Sequence, residues 1–308
     1  MRRDEGARLA HVVEGRHVAA RRGRHATDAT IPREIVPSTR IDEVLRDACD
    51  GRRCVFVAGL PGAGKSLLVR RAAAIAQRSG RSVQLLRWDV ARLAFDTPEI
   101  LARHPEVGGV TDAAIRVAAG RWARLAVRRW ADAHGAADLL IGETPLVGER
   151  FASLARPAED RAEALLASPA TLFVVPVPTA AVRARIEAAR ERDTSGPVGE
   201  RDRASAAPHL VRWHWDDLVA VALALGAAAT PPRGYDAGLC ARTFERLLSR
   251  RHAQVVAIDE IFDADTTARV ADPSEIVPSA DEVAAAMTEV DAMPRAGIER
   301  AVAEWYRM

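Results

Sequence analysis

Short apolar runs alternate with helix-patterned segments along most of this chain, an order that predicts a parallel sheet with helices on both faces. Cys54 to Ala58 is continuously apolar, as suits a strand buried on both sides. Val83 to Asp89 reads as a second strand ending in an acid. Asp138 to Gly142 reads as a third that delivers Glu143 at its carboxyl end. Thr171 to Pro178 is a fourth, and Gln254 to Ile258 a fifth that closes on Asp259 and Glu260. Helical patterns cover 67–76, 111–134 and 179–192. Residues 193–208, rich in Gly, Pro, Ser and charge, read as a mobile loop. Two further helical stretches, near 280–288 and 294–306, are expected to pack on the sheet edge, and no internal repeat is visible.

Between the first strand and its helix lies Gly59-Leu60-Pro61-Gly62-Ala63-Gly64-Lys65-Ser66, a complete G-x-x-x-x-G-K-[ST] sequence running into Leu67. Strand, glycine-rich loop and helix N-terminus together form a phosphate cradle. Gly59 and Pro61–Leu67 are the expected cofactor-binding residues: their backbone N–H groups, which Pro61 alone lacks, and the helix dipole face the anion, Lys65 reaches the β- and γ-phosphates, and the Ser66 hydroxyl ligates Mg²⁺. Lys65 is the only lysine in the chain, every other basic residue of its class being arginine. A compact ammonium is thus kept where a point charge must reach phosphate oxygens. The expected cofactors are ATP or GTP with Mg²⁺.

Composition narrows the remaining options. With 308 residues, 48% hydrophobic and 28% charged, the chain can bury a full α/β core. A net charge of +2 is too small for electrostatic capture of nucleic acid, so a nucleic-acid partner is not expected. No apolar stretch is long enough to span a membrane; the most apolar, 218–229, is about one buried helix long. Cys49, Cys54 and Cys240 lack metal or redox spacing and fit reduced thiols in the cytoplasm. The basic first thirty residues lack the apolar core of a secretory signal and read as a tail, with contact to a partner or a second copy in a homodimer as the other reading.

In an open parallel sheet ligands sit beyond the carboxyl ends of the strands, which singles out Asp89 and Glu143. Phosphoryl transfer needs a carboxylate beside the Ser66-bound metal and another that accepts the acceptor's proton. Asp89 is assigned acceptor binding and the role of base, and Glu143 the metal side or the orienting of the acceptor; a helix cap or an ion pair is the plainer alternative for each. Asp259-Glu260 resembles an ATPase metal and water-activating pair but lies far along the chain from the loop. Arg183 and Arg190, two turns apart on the helix after the fourth strand, can close as a lid on the transferring phosphoryl group, with Arg185, Arg201 and Arg203 nearby; a solvated arginine face is the alternative. In the 111–134 helix, Trp122 and Trp130 are expected to pack the core, leaving Arg121, Arg124, Arg128 and Arg129 in solvent. His209, Trp213, His214 and Trp215 read as core or hinge packing, since the histidine spacing does not suit two metal ligands on one helix face.

The loop at 59–66, the acids Asp89 and Glu143 closing the second and third strands, and the arginine-rich helix after the fourth resemble the P-loop kinases of small molecules and nucleotides. The related zeta-toxin and chloramphenicol-phosphotransferase-like group is included in that likeness. The resemblance covers roughly residues 50–262. It implies a three-layer α/β fold on a parallel sheet and Mg-ATP-dependent transfer of the γ-phosphoryl group to a hydroxyl or phosphate of a small molecule or nucleotide. The chain departs from that group in its long helical insert between Asp89 and Glu143, in lacking an Asp-Arg-Ser-type triplet after the third strand, and in its C-terminal segment. The expected organisation is a basic segment over 1–36, a kinase-like domain over 37–262 with a lid at about 179–208, and a helical extension over 263–308. An NTP-hydrolysing switch and a toxin-type regulatory kinase are the alternative functions.

Overall fold

The computed structural model describes residues 41–193, 208–261 and 273–307. Its strands are β1 (Cys54–Ala58), β2 (Ser82–Arg87), β3 (Asp138–Thr144), β4 (Thr171–Pro178), β5 (Ala253–Ile258) and β6 (Ser274–Glu275). They form one sheet in the order β5-β4-β1-β3-β2-β6, parallel throughout. The longer helices are α1 (Ile41–Gly51), α2 (Lys65–Arg78), α5 (Ala113–Ala133), α8 (Ala180–Asp193), α9 (Pro208–Ala224), α10 (Ala237–Leu247), α11 (Ala280–Asp291) and α12 (Arg295–Ala303). Short turns of helix, α3 (Trp88–Ala91), α4 (Pro98–Arg103), α6 (Ala152–Ala155) and α7 (Glu163–Leu166), lie in the connections.

The period-two geometry of the strands divides the core into two layers. Along β1, Cys54 and Phe56 face one way and join Trp122, Leu218, Phe244 and Met287 from α5, α9, α10 and α11. Val55 and Val57 face the other way, against Leu45 of α1 and Leu68, Val69 and Ala72 of α2. Both faces are covered, which is why the central strands are apolar at every position instead of alternating. β1, β3 and β4 are buried nearly end to end.

The connections open a crevice in this sheet. The chain leaving β1 runs toward β2 on one side, whereas the chain leaving β4 runs toward β5 on the other, so their exits diverge. Pairing of β1 with β4 stops at Val57 and Val174, while β4 continues beside β5 to Pro178. The prolines at 176 and 178, which cannot donate to a ladder, therefore lie beyond the β1 register. The Gly59–Ser66 loop leaves β1 into the space that opens.

Three expectations are corrected. β2 ends at Arg87, and Trp88-Asp89 begin α3, so Asp89 stands one step past the strand at a helix start. The two C-terminal helices do not cover the sheet edge: α11 and α12 lie on α5, where Val283, Met287, Val290 and Ile298 share its core. The edge is occupied by β6, with Ile276 N–H donating to Leu85 O at 2.7 Å and Arg87 pairing with Glu275. The arginines of α5 are consequently not all solvated. Arg129 pairs with Glu282, Arg121 pairs with Glu289, and Arg124 is buried between Asp160 and Glu163. Trp122 and Trp130 are buried as expected. The basic segment at 1–36, residues 194–207 of the expected lid with Arg201 and Arg203, and residues 263–272 lie outside the described residues. No helix among the described residues is long and apolar enough to cross a membrane.

Candidate functional site

The glycines of the 59–66 loop are needed for its path. Gly62 and Gly64 hold φ of 82° and 84°, left-handed values that a side chain would strain, and Gly64 is the residue from which α2 starts. The first-turn N–H groups of α2 have no partner within their own helix and carry its positive dipole end into the crevice. Lys65 folds back along the loop: its Nζ donates to Leu60 O at 3.1 Å and lies 4.0 Å from Glu143 Oε1. The Ser66 hydroxyl donates to the same oxygen at 3.1 Å. Glu143 reaches them because β3 is the immediate neighbour of β1, with Val57 and Glu143 in register. Both Lys65 and Glu143 are buried.

Gly142 explains how this close approach is built. A Cβ at that position would lie 2.2 Å from Phe56 Cδ1, and the Phe56 ring is itself stacked on Phe173 with centroids 5.1 Å apart. Glycine lets an aromatic pair fill the layer under β3, directly before the strand presents Glu143.

A cavity of about 470 Å³ opens over this cluster. Residues 61–67 line it, while Gly59 is not part of the lining, and a Cβ there would lie 3.5 Å from Pro176 O. Asp89, exposed at the start of α3, and the buried Trp88 form another part of the wall. The insert between Asp89 and Glu143 contributes Arg92, Glu106, Gly109 and Thr111. Arg92 is held by Asp96 at 3.2 Å and by Glu106 at 3.4 Å. Val182 and Ile186 of α8 supply apolar surface, and Glu260 and Ile261 complete the rim beyond β5.

The segment that follows β3 adds Arg150 to the site, beside His214 of α9, and sequence reasoning assigned neither to it. Leu146, Glu149 and Phe151 all have positive φ, at 62°, 66° and 60°, conformations that cost about 1–3 kcal/mol each for residues with a Cβ. The surrounding packing enforces them. Leu146 and Phe151 are completely buried, Phe151 lies edge-on to Trp88, and Glu149 is buried against Arg156 at 2.7 Å. Between the last two of these, Arg150 is aimed into the cavity wall, where its Nη1 donates to His214 Nε2 at 2.6 Å. The bond requires the neutral imidazole with its proton on Nδ1, an assignment made from the partner. Burial first, then the charges of Arg150, Lys65, Arg116 and Arg183, push the His214 pKa down to about 2. Burial and the neighbouring Arg116 lower that of Arg150 to about 10, against the opposing pull of Asp89 and Asp217, so it stays a cation at neutral pH.

The other proposed site residues fare differently. Arg183 is buried outside the cavity lining: Nε donates to Glu187, Nη1 to Pro61 O at 3.0 Å and Nη2 to Val211 O at 3.0 Å, with the Tyr235 ring beneath it. It braces the 59–66 loop against α8 and α9 and does not stand over the cavity as a lid residue, because every nitrogen of its fork is already engaged. Arg190 belongs to α8, but its side chain lies outside the described residues, as does that of His209. Trp215 packs in the core and Trp213 is partly exposed, while His214 faces the cavity. Asp259 and Glu260 follow β5, two strands from β1, or roughly 10 Å across the sheet. Only Glu260 touches the cavity rim. The signal that would have found Arg150 is its distance from Glu143, since residues just past a central strand's carboxyl end face the ligand crevice. His214 carried none, because its partner is distant in sequence.

No protein-family model, curated protein or solved structure matches this chain.

Proposed function

We propose that this chain is a Mg-ATP-dependent phosphotransferase that moves a γ-phosphoryl group to a hydroxyl or phosphate of a small molecule or nucleotide. The observation that carries this reading is the convergence of the Ser66 hydroxyl and the Lys65 ammonium on one buried carboxylate oxygen of Glu143, at the floor of a cavity opening past β1 and β3.

A magnesium ion suits this donor set. It takes hard oxygen ligands, few of them from protein, with phosphate oxygens and waters filling the rest. Ser66 and Glu143 supply such a pair, and no cluster of three or more His, Cys, Asp or Glu able to hold a metal occurs among the described residues. Bound there, the ion would neutralise charge on the phosphate oxygens. Residues 62–67 at the α2 N-terminus hold the phosphate chain through backbone N–H groups, and Lys65 turns from Leu60 O to the β- and γ-oxygens. Asp89 orients the acceptor hydroxyl and takes its proton as the acceptor oxygen bonds to Pγ and the bond from Pγ to the bridging oxygen breaks, releasing ADP. The insert residues shape the acceptor pocket. A cytoplasmic setting fits the three free, buried cysteines.

The test is ADP release from Mg-ATP, with the protein alone and then with a panel of nucleosides, nucleotides, sugars and aminoglycoside-like alcohols. Acceptor-dependent ADP with a phosphorylated product supports the reading. Lys65→Ala should abolish turnover without altering the circular dichroism spectrum, and full activity in that variant overturns it. Glu260 at the rim supports a second reading, a hydrolysing switch, whose mark is steady ADP release that no acceptor changes.

A further inference from the structure

We infer that Arg150 anchors an anionic group, a carboxylate or a phosphate, carried by the acceptor itself. This rests on the phosphotransferase reading and narrows its substrate class to hydroxyl-bearing acids or phosphate esters.

Among the described residues two arginines line the cavity, and they are treated differently by their surroundings. Arg92 is neutralised by Asp96 and Glu106. Arg150 has no carboxylate at ion-pair distance among the described residues; its close partner is the neutral ring of His214. Glu149, next to it in sequence, is turned away and spent on Arg156. A guanidinium withdrawn from bulk water costs free energy that a counter-ion would recover, and its planar fork matches a carboxylate or phosphate with two parallel hydrogen bonds. The run of positive φ values fixes its backbone, so the fork is positioned before any ligand arrives.

Its electrical neighbourhood places the anion on the acceptor and not on the nucleotide. Asp89 lines the same cavity as Arg150 and its charge acts on the guanidinium, whereas the Lys65 ammonium is turned to Leu60 O and Glu143. Asp89 is the residue assigned to the acceptor hydroxyl, while Lys65 and Glu143 belong to the triphosphate. An acceptor spanning Asp89 and Arg150 would thus have its hydroxyl on the carboxylate and its own anion on the guanidinium. Burial is the chief cause of the lowered Arg150 pKa, and the more distant Asp89 and Asp217 offset it only in part.

The experiment uses the whole chain saturated with Mg²⁺ and a non-hydrolysable ATP analogue, so that the 59–66 loop is filled. Inorganic phosphate, acetate and, as neutral control, methanol are titrated in turn, with calorimetry as the readout and intrinsic tryptophan fluorescence beside it. Saturable binding of at least one anion and none of methanol is expected, and the two anion arms separate a phosphate-bearing from a carboxylate-bearing acceptor. Arg150→Gln should weaken the anion by about tenfold or more, as loss of a charge-assisted fork predicts. Arg150→Lys, which keeps the charge, should fall between the two and guards against a folding defect in the glutamine variant. Affinity for the ATP analogue, measured without added anion, should stay within about twofold in both variants, as expected of a group outside the triphosphate site.

Absence of saturable anion binding, or unchanged anion affinity in Arg150→Gln, overturns the assignment. So does a parallel loss of nucleotide affinity, which would move Arg150 to the triphosphate. If the analogue does not bind the wild type, the phosphotransferase reading itself has failed. The anion titration repeated on Lys65→Ala protein, with and without Arg150→Gln, then decides the anion site separately.

Discussion

The Ser66 hydroxyl meets the Glu143 carboxylate at 3.1 Å although the two residues are brought in by different elements, one by the first turn of α2 and the other by the end of β3. Groups that act as one unit lose their function together. Ser66→Ala and Glu143→Gln should each reduce Mg-dependent ADP formation by on the order of 100-fold, the scale seen when one group of a preorganised charge-stabilising set is removed. The double variant should be little worse than either alone. A cycle of the two substitutions on kcat measures this, and fully additive losses would show that they work separately.

Arg183 is a brace, and its loss should appear in stability before chemistry. Arg183→Ala removes the donors to Pro61 O and Val211 O and empties the space that its buried side chain fills, a cost of about 2–4 kcal/mol. Urea unfolding should show a lower midpoint, with weaker nucleotide binding because the loop is held less firmly. An unchanged midpoint accompanied by lost turnover would return Arg183 to the phosphates.

His214 makes the fold sensitive to acid. Its folded pKa lies near 2 and its ordinary value is 6.5, so between these values the unfolded chain carries a proton that the folded chain does not. Stability from this group is therefore full above about pH 6.5 and declines as the pH falls, by at most about 1.4 kcal/mol per pH unit. The raised pKa values of Asp217 and Glu149, caused chiefly by burial, act in the opposite direction, because their folded forms take up protons first. Unfolding midpoints at pH 7.5, 6 and 5 should fall less steeply in His214→Gln than in the wild type. Parallel slopes would mean that His214 is solvated.

Gly142→Ala should destabilise the protein by about 1–3 kcal/mol, since the new methyl group must displace the Phe56 ring from its place on Phe173. Thermal unfolding gives the magnitude. Turnover should fall with it, because any shift of β3 moves Glu143. A neutral result would indicate room around Phe56 that the packing does not provide.

Much of the sheet was legible because a strand buried on both faces leaves a continuous apolar run, as Cys54–Ala58 and Thr171–Pro178 do. The 59–66 loop was legible because its glycines answer a backbone demand. Other features leave no such trace. β6 is two polar residues, held beside β2 by backbone hydrogen bonding and by the meeting of Glu275 with Arg87. Arg124 of α5 looked solvated because the acids it meets, Asp160 and Glu163, are brought there by tertiary packing. Arg150 sits among positive φ values borne by Leu, Glu and Phe, where sequence statistics expect glycine. The packing that enforces them comes from Trp88 and other residues distant in the chain.

The burial of Lys65 at the foot of the cavity has a consequence for covalent chemistry. Apart from any α-amine, the chain offers an acylating or Schiff-base reagent a single ε-amine, and its described cysteines compete poorly, with thiol pKa values pushed up to about 12 by burial. An aldehyde or active ester mounted on a phosphate mimic would thus read out occupancy of one nitrogen. Intact mass alone would count how many molecules in a population have that nitrogen shielded.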